Sequence, residues 1–102
     1  MFFMALLLAG TTLSGQVKKA PVVIRGQVIA AATGQPVTNA HVYIIDGEEE
    51  ALTNSNGEFI IESWQKTPVT ITVNAYRQYA KTSVVVANPS QRQVIRLKTQ
   101  SQ

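Results

Sequence analysis

Between Val22 and Lys98, apolar and polar side chains alternate in short runs, and no window holds a sustained helical period. Val22 to Ala30 places Ile24, Gly26 and Val28 on one face. Asn39 to Asp46 sets Ala40, Val42 and Ile44 against His41, Tyr43 and Ile45. Glu50 to Asn54 is a short strand at most. Glu58 to Ser63 turns Phe59 and Ile61 inward, and Pro68 to Ala75 sets Val69, Ile71 and Val73 against Thr70, Thr72 and Asn74. Thr82 to Ala87 carries Val84-Val85-Val86, expected to be buried in part on both faces. Gln93 to Lys98 alternates Ile95 and Leu97 with Val94, Arg96 and Lys98. Thr33-Gly34-Gln35-Pro36, Asp46-Gly47, Asn56-Gly57 and Asn88-Pro89-Ser90 read as turns between the runs. Seven short strands with turns every ~8–12 residues predict an all-β sandwich.

The chain has 102 residues, enough for one domain, and no cysteine. Disulfides, cysteine zinc sites and thiol nucleophiles are therefore excluded, and so is a lipid-anchoring cysteine. The net charge of +3 is uneven: Asp46, Glu48, Glu49 and Glu50 form an acidic knot, while Arg77, Lys81, Arg92, Arg96 and Lys98 make the second half basic. Both read as solvated surface, because a nucleic-acid stripe would interleave its basic residues with stacking aromatics.

Phe2 to Ala9 is a continuous apolar run followed by small and hydroxyl residues. It has the length of a signal-peptide core and falls short of a membrane span. Residues 1–15 are expected to be a signal peptide cleaved after Ser14 or Gly15, although lysine and arginine are missing from its start. Residues 16–21 are a polar lead-in, 22–98 the domain, and 99–102 a frayed tail. No later segment is long and apolar enough to span a bilayer.

Candidate chemistry is sparse. Thr53-Asn54-Ser55-Asn56-Gly57 could open a calcium loop, but with Gly57 as the sixth residue the first and twelfth are Leu52 and Ser63, where carboxylates are needed. Asn56-Gly57 is instead a strong hairpin signal with both turn positions at positive φ. His41 is the one histidine and falls on an outward position without a recognisable nucleophile in sequence. No metal and no cofactor is expected. Trp64, Tyr76 and Tyr79 are candidates for stacking on sugar rings, and the outward Tyr43–Ile45 face or a free sheet edge for docking a protein.

The order of landmarks is more specific than any one of them: Ile24-x-Gly26-x-Val28, then Gly34-Gln35-Pro36-Val37, Asn39-Ala40-x-Val42, and Thr53-Asn54-x-Asn56-Gly57-x-Phe59-x-Ile61. This series resembles the carboxypeptidase regulatory-like domains. The resemblance implies an antiparallel Greek-key sandwich of Ig-like or prealbumin-like type, acting as an accessory module and not as an enzyme. Such domains follow the catalytic domain of some carboxypeptidases and precede the plug of TonB-dependent receptors. An envelope protein, such a receptor or a peptidase is thus the expected partner, in the bacterial envelope or outside the cell, with a polysaccharide as the alternative and nucleic acid excluded. Two positions depart from the pattern: Asn54 stands where an aspartate is usual, and Ala75-Tyr76 where a glycine often precedes tyrosine. The transthyretin-like hydrolases of purine breakdown share the architecture only. They need several histidines and a terminal Tyr-Arg-Gly-Ser that this chain does not have.

Overall fold

A computed structural model describes residues 20–100, so the signal-peptide reading and the last two residues lie outside it. The strands are β1 Val22–Ala30, β2 His41–Ile45, β3 Glu49–Leu52, β4 Glu58–Ser63, β5 Val69–Asn74, β6 Thr82–Val86 and β7 Gln93–Leu97. They form a three-stranded sheet in the order β4-β1-β7 and a four-stranded sheet in the order β3-β2-β5-β6. Four of the ladders are antiparallel, but β1 and β7 pair in parallel. The rest of the domain intervenes between those two strands, which removes the hairpin constraint that enforces antiparallel pairing.

The strand periodicity places the core. Ile24, Val28, Val42, Phe59, Ile61, Ile71, Val73, Val86, Ile95 and Leu97 are all buried between the sheets. Each such side chain contributes about 1.5–3 kcal/mol of transfer free energy. Val85 departs from expectation: it is 68% exposed while Val86 is buried. β6 is an edge strand, and simple alternation turns only Val84 and Val86 inward. Nor do Thr99 and Gln100 fray: Thr99 bridges to Tyr79, and Gln100 N–H donates to the Gln78 carbonyl at 3.0 Å.

Gly26 sits in the middle of the central strand because nothing larger fits. Its cross-strand partner is Phe59. A Cβ on Gly26 would lie 2.5 Å from Phe59 Cζ and 2.7 Å from the Gln93 carbonyl oxygen. The ring therefore covers bare backbone, restoring the packing that a glycine costs a strand.

A second contact joins the sheets through polar groups. Glu49, on β3 of one sheet, is buried. Its carboxylate accepts a hydrogen bond from Ser63 Oγ at 2.6 Å and from Trp64 N–H at 3.0 Å, both at the end of β4 in the other sheet. Gln65 Nε2 adds a third at 3.4 Å. The acidic knot is thus not all solvated. Burial by itself pushes the Glu49 carboxyl up, but the bonds from Ser63, Trp64 and Gln65 together outweigh it and hold the group below the usual carboxylate range.

Two outcomes test these contacts. Gly26→Ala is expected to destabilise the domain by about 1–3 kcal/mol in urea unfolding. Adding Phe59→Leu should recover only part of the loss, because the Gln93 carbonyl clash is backbone and stays. For Glu49, the folded group is the stronger acid, so its contribution is full above its unfolded pKa near 4.5 and is lost as pH falls through the lower folded value. Glu49→Gln should cost about 1–3 kcal/mol at neutral pH. The gap between wild type and variant should narrow on acidification below the ordinary glutamate range. A gap independent of pH would show that the clasp does not act through the carboxylate.

Candidate functional site

The segment Thr53–Gly57 crosses from one sheet to the other. It leaves β3 in the four-stranded sheet and enters β4 in the three-stranded one, so it is not the hairpin its Asn-Gly pair suggested. Only Gly57 takes a positive φ, 74°, where the hairpin type expected needs Asn56 to share it. Gly57 is also pressed on β1: a Cβ would lie 2.4 Å from the Val28 carbonyl oxygen. Asn54 builds the turn. Its Oδ1 accepts from Asn56 N–H and Glu58 N–H, both at 2.9 Å, and its Nδ2 donates to Glu58 Oε1 at 3.3 Å. Thr53 is buried beside it, donating to the Val37 carbonyl at 2.6 Å and accepting from Ala40 N–H at 2.8 Å.

Asp46 and Glu48 belong to the turn at the other end of β3 and do not join Glu58 around this loop. Asp46 instead faces His41 and Glu50. His41 Nε2 lies 2.7 Å from Glu50 Oε1 and 3.8 Å from Asp46 Oδ1. Glu50 also accepts from Gly47 N–H at 3.1 Å. The bond from His41 first, and that from Gly47 second, hold the Glu50 carboxyl below the usual range. The histidine thus has the orienting carboxylate that catalysis would ask for, yet no hydroxyl or thiol nucleophile is bonded to it among the described residues. The three side chains form a solvent-facing polar cluster with the Tyr43 ring against the imidazole, centroids 4.8 Å apart.

Tyr43 stands at the centre of the outer face of the four-stranded sheet. Its neighbours across the ladders are Glu50 and Thr72, and Thr72 in turn bonds Ser83 hydroxyl to hydroxyl at 3.0 Å. A bulge after Tyr43 makes Ile45 the partner of the inward Glu49, so Ile45 is half-buried and not a clean outward anchor. The exposed apolar residues of the sheets lie elsewhere: Leu52 (63% exposed) on β3, Ile60 (57%) on β4, Val85 (68%) on β6 and Val94 (43%) on β7. Each is on an edge strand. Sequence alternation marks Ile60 and Val94 as outward but cannot say which strands are edges.

The aromatic candidates are not brought together. Trp64 precedes β5 and Tyr76 follows it, so a strand of roughly 20 Å separates them. Trp64 is 58% exposed over a cleft of about 290 Å³ that Gln65, Lys66 and Thr67 help to line. Tyr76 and Arg77 both take positive φ at the opposite end, and Tyr79 packs its ring partly against the core.

Architecture and sheet order define the described residues as a seven-stranded Ig-like β-sandwich. It belongs to the CarboxypepD_reg-like domain family, whose profile matches residues 24–102. A stretch of 44 residues, 41% of the chain, is 41% identical to Bacillopeptidase F of Bacillus subtilis (strain 168) and spans 3% of that protein. Among solved structures, a chain of a type II cohesin–X-dockerin complex from Acetivibrio cellulolyticus, a C-terminal interface mutant, superposes with a TM-score of 0.53 at 16% identity. That alignment covers 74% of this chain and 51% of that one. At this identity the likeness is one of fold.

Asn54 holds the turn without a carboxylate, because its amide oxygen accepts both backbone bonds. Asn54→Ala should cost about 1 kcal/mol in thermal or urea unfolding. Asn54→Asp should keep the bonds but set a second carboxylate beside Glu58. It should therefore be the milder change, with a deficit that shrinks at low pH. Equal losses for the two variants would mean that the side-chain oxygen does not organise the turn.

Proposed function

We propose that this domain is a non-catalytic binding module of an exported bacterial protein, and that it docks a protein partner on the outer face of its four-stranded sheet. Family membership supports the accessory role. The observation that carries the docking reading is the composition of that face. Tyr43 lies half-buried at its centre, against the His41 ring and between Glu50 and Thr72 of the neighbouring strands, while Leu52 and Val85 expose apolar surface at its two edges. A central aromatic in a polar setting with apolar margins suits a moderately sized protein contact. The expected partner is an envelope protein, such as a TonB-dependent receptor or a peptidase.

The test is cross-linking of the tagged protein in its native envelope, followed by binding of the purified partner. Leu52→Lys and Val85→Lys should each weaken that binding by roughly tenfold, about 1.4 kcal/mol. Folding stability should stay within about 0.5 kcal/mol, since both side chains are solvent-facing. Unchanged affinity in both variants would remove this face as the site.

One observation favours a second reading, the capture of a glycan at the Trp64 cleft: an exposed indole beside Gln65 and Lys66 offers a stacking plane and polar donors together. Trp64→Ala should then abolish retention on a polysaccharide panel while leaving the unfolding transition in place. No binding by the wild type to any member of the panel would dismiss it.

A further inference from the structure

The two free edges of the three-stranded sheet are complementary to each other. The backbone hydrogen bonds show which residues face outward. Gly57 O accepts from Val28 N–H at 2.7 Å, and Leu97 O accepts from Ala31 N–H at 2.8 Å, so these residues turn their backbone groups toward β1. By alternation, Glu58, Ile60 and Glu62 on β4, and Val94, Arg96 and Lys98 on β7, turn theirs away from it. Bonds at the margins agree: Glu58 O accepts from Asn54 N–H at 3.0 Å, and Lys98 O accepts from Ala80 N–H at 2.9 Å.

Those same bonds delimit what is available. On β4 the turn residue Asn54 occupies Glu58, and Glu49 occupies Trp64 N–H. Between them, no strand among the described residues pairs with Ile60 and Glu62 on their outer side. On β7, Ala80 occupies Lys98, and no described strand pairs with the outer side of Val94 and Arg96.

The side chains beside these windows read Glu58-x-Ile60-x-Glu62 on β4 and Arg92-x-Val94-x-Arg96 leading into and along β7. All six are exposed, and Arg92 Nη2 lies 3.7 Å from Glu58 Oε2 of its own chain, a solvent-screened pair that has to open for the contacts described next. β4 runs antiparallel to β1 and β7 runs parallel to it, so β7 of one copy laid beside β4 of the next, with the sheets in the same orientation, forms an antiparallel ladder. In the register that sets Val94 opposite Ile60, Arg96 falls opposite Glu58 and Arg92 opposite Glu62. Opposite charges and apolar pairs then meet directly across the strands, the arrangement that stabilises a ladder. A two-fold β4–β4 pairing about Ile60 would instead oppose Glu58 to Glu62, which disfavours a symmetric dimer at this edge.

We propose that copies of this chain associate head to tail, β7 edge to β4 edge, extending the three-stranded sheet from one molecule to the next. The contact is heterologous, so nothing closes it at two copies, and the products are open chains. It uses the sheet opposite to the proposed docking face, so either reading can fail without the other. Each contact is small, with few main-chain bonds, and the association is accordingly weak and sensitive to salt.

The test uses the chain from Gln16 onward, which holds β1 to β7 and every core residue found buried among the described residues. Sedimentation velocity up to roughly millimolar concentration should show a mass that rises steadily past the dimer, and less so in high salt. Ile60→Pro removes an outward N–H that no described strand uses, so it should leave the monomer folded and stop the growth. Glu62→Lys alone and Arg92→Glu alone should each be monomeric. An equimolar mixture of the two should associate again, since the reversed charges meet across every second contact. A wild type that stays monomeric throughout, a dimer that does not grow, growth that survives Ile60→Pro in a folded protein, or charge variants that fail to restore association on mixing would each overturn the proposal.

Discussion

The Phe59 ring lying across Gly26 is the contact on which the rest of the structure depends. Gly26 occupies the centre of β1, the one strand that pairs with both neighbours of its sheet. With the Gln93 carbonyl 2.7 Å from where a Cβ would stand, the same bare position accommodates β4 on one side and the start of β7 on the other. A side chain there would push on an aromatic ring and on a backbone carbonyl together. The ring can rotate or shift, but the carbonyl moves only with its strand, so the parallel β1–β7 ladder is tied to the absence of a side chain at residue 26.

Phe59 reaches that position only because the chain changes sheets just before it. The crossing leaves backbone groups that neither sheet ladder can satisfy, and buried polar groups without partners are costly. Thr53 and Asn54 meet that need with side chains: Thr53 serves the carbonyl of Val37 and the N–H of Ala40, while Asn54 serves two N–H groups of the turn. Glu49 does the same at the far end of β4, binding Ser63 and Trp64 across the sheets. The two sheets are therefore held by apolar packing between their faces and by side-chain hydrogen bonds along the β3–β4 side. Among the described residues no buried side-chain polar atom is left without a partner.

What could be read beforehand follows from this division. The inward positions of β1, β4, β5 and β7 were legible because a strand's side-chain period is two and one face of each sheet is buried. Which strands become neighbours was not. A glycine at positive φ after an asparagine serves a hairpin and a sheet-to-sheet crossing equally, and Asn54-Ser55-Asn56-Gly57 offers no local sign of which it makes. The burial of Glu49 was hidden by its acidic neighbours, though its spacing from Ala51 put both on the inward face of β3. The bulge that half-buries Ile45 depends on pairing with β3 and could not be seen from the alternation of β2 alone. The site residues suffered most, since Trp64 and Tyr76 are close in sequence yet stand at opposite ends of β5.

The distribution of exposed apolar side chains bears on function more than any single residue does. Leu52, Ile60, Val85 and Val94 fall one to each edge strand, and the interior strands β1, β2 and β5 carry no large hydrophobic residue exposed to that degree. A sandwich solvating itself would place charge at its edges, where unpaired backbone invites another chain. Here each edge carries an apolar residue, and on β4 and β7 it lies between charges of one sign. Charge flanking an apolar position blocks indiscriminate pairing and admits a strand bearing the complementary pattern. The core is unaffected by such choices, because every edge residue concerned points away from it. Binding specificity in this fold can therefore be set by a few outward positions on four short strands, while Gly26, Phe59 and the sheet crossing keep the scaffold beneath them unchanged.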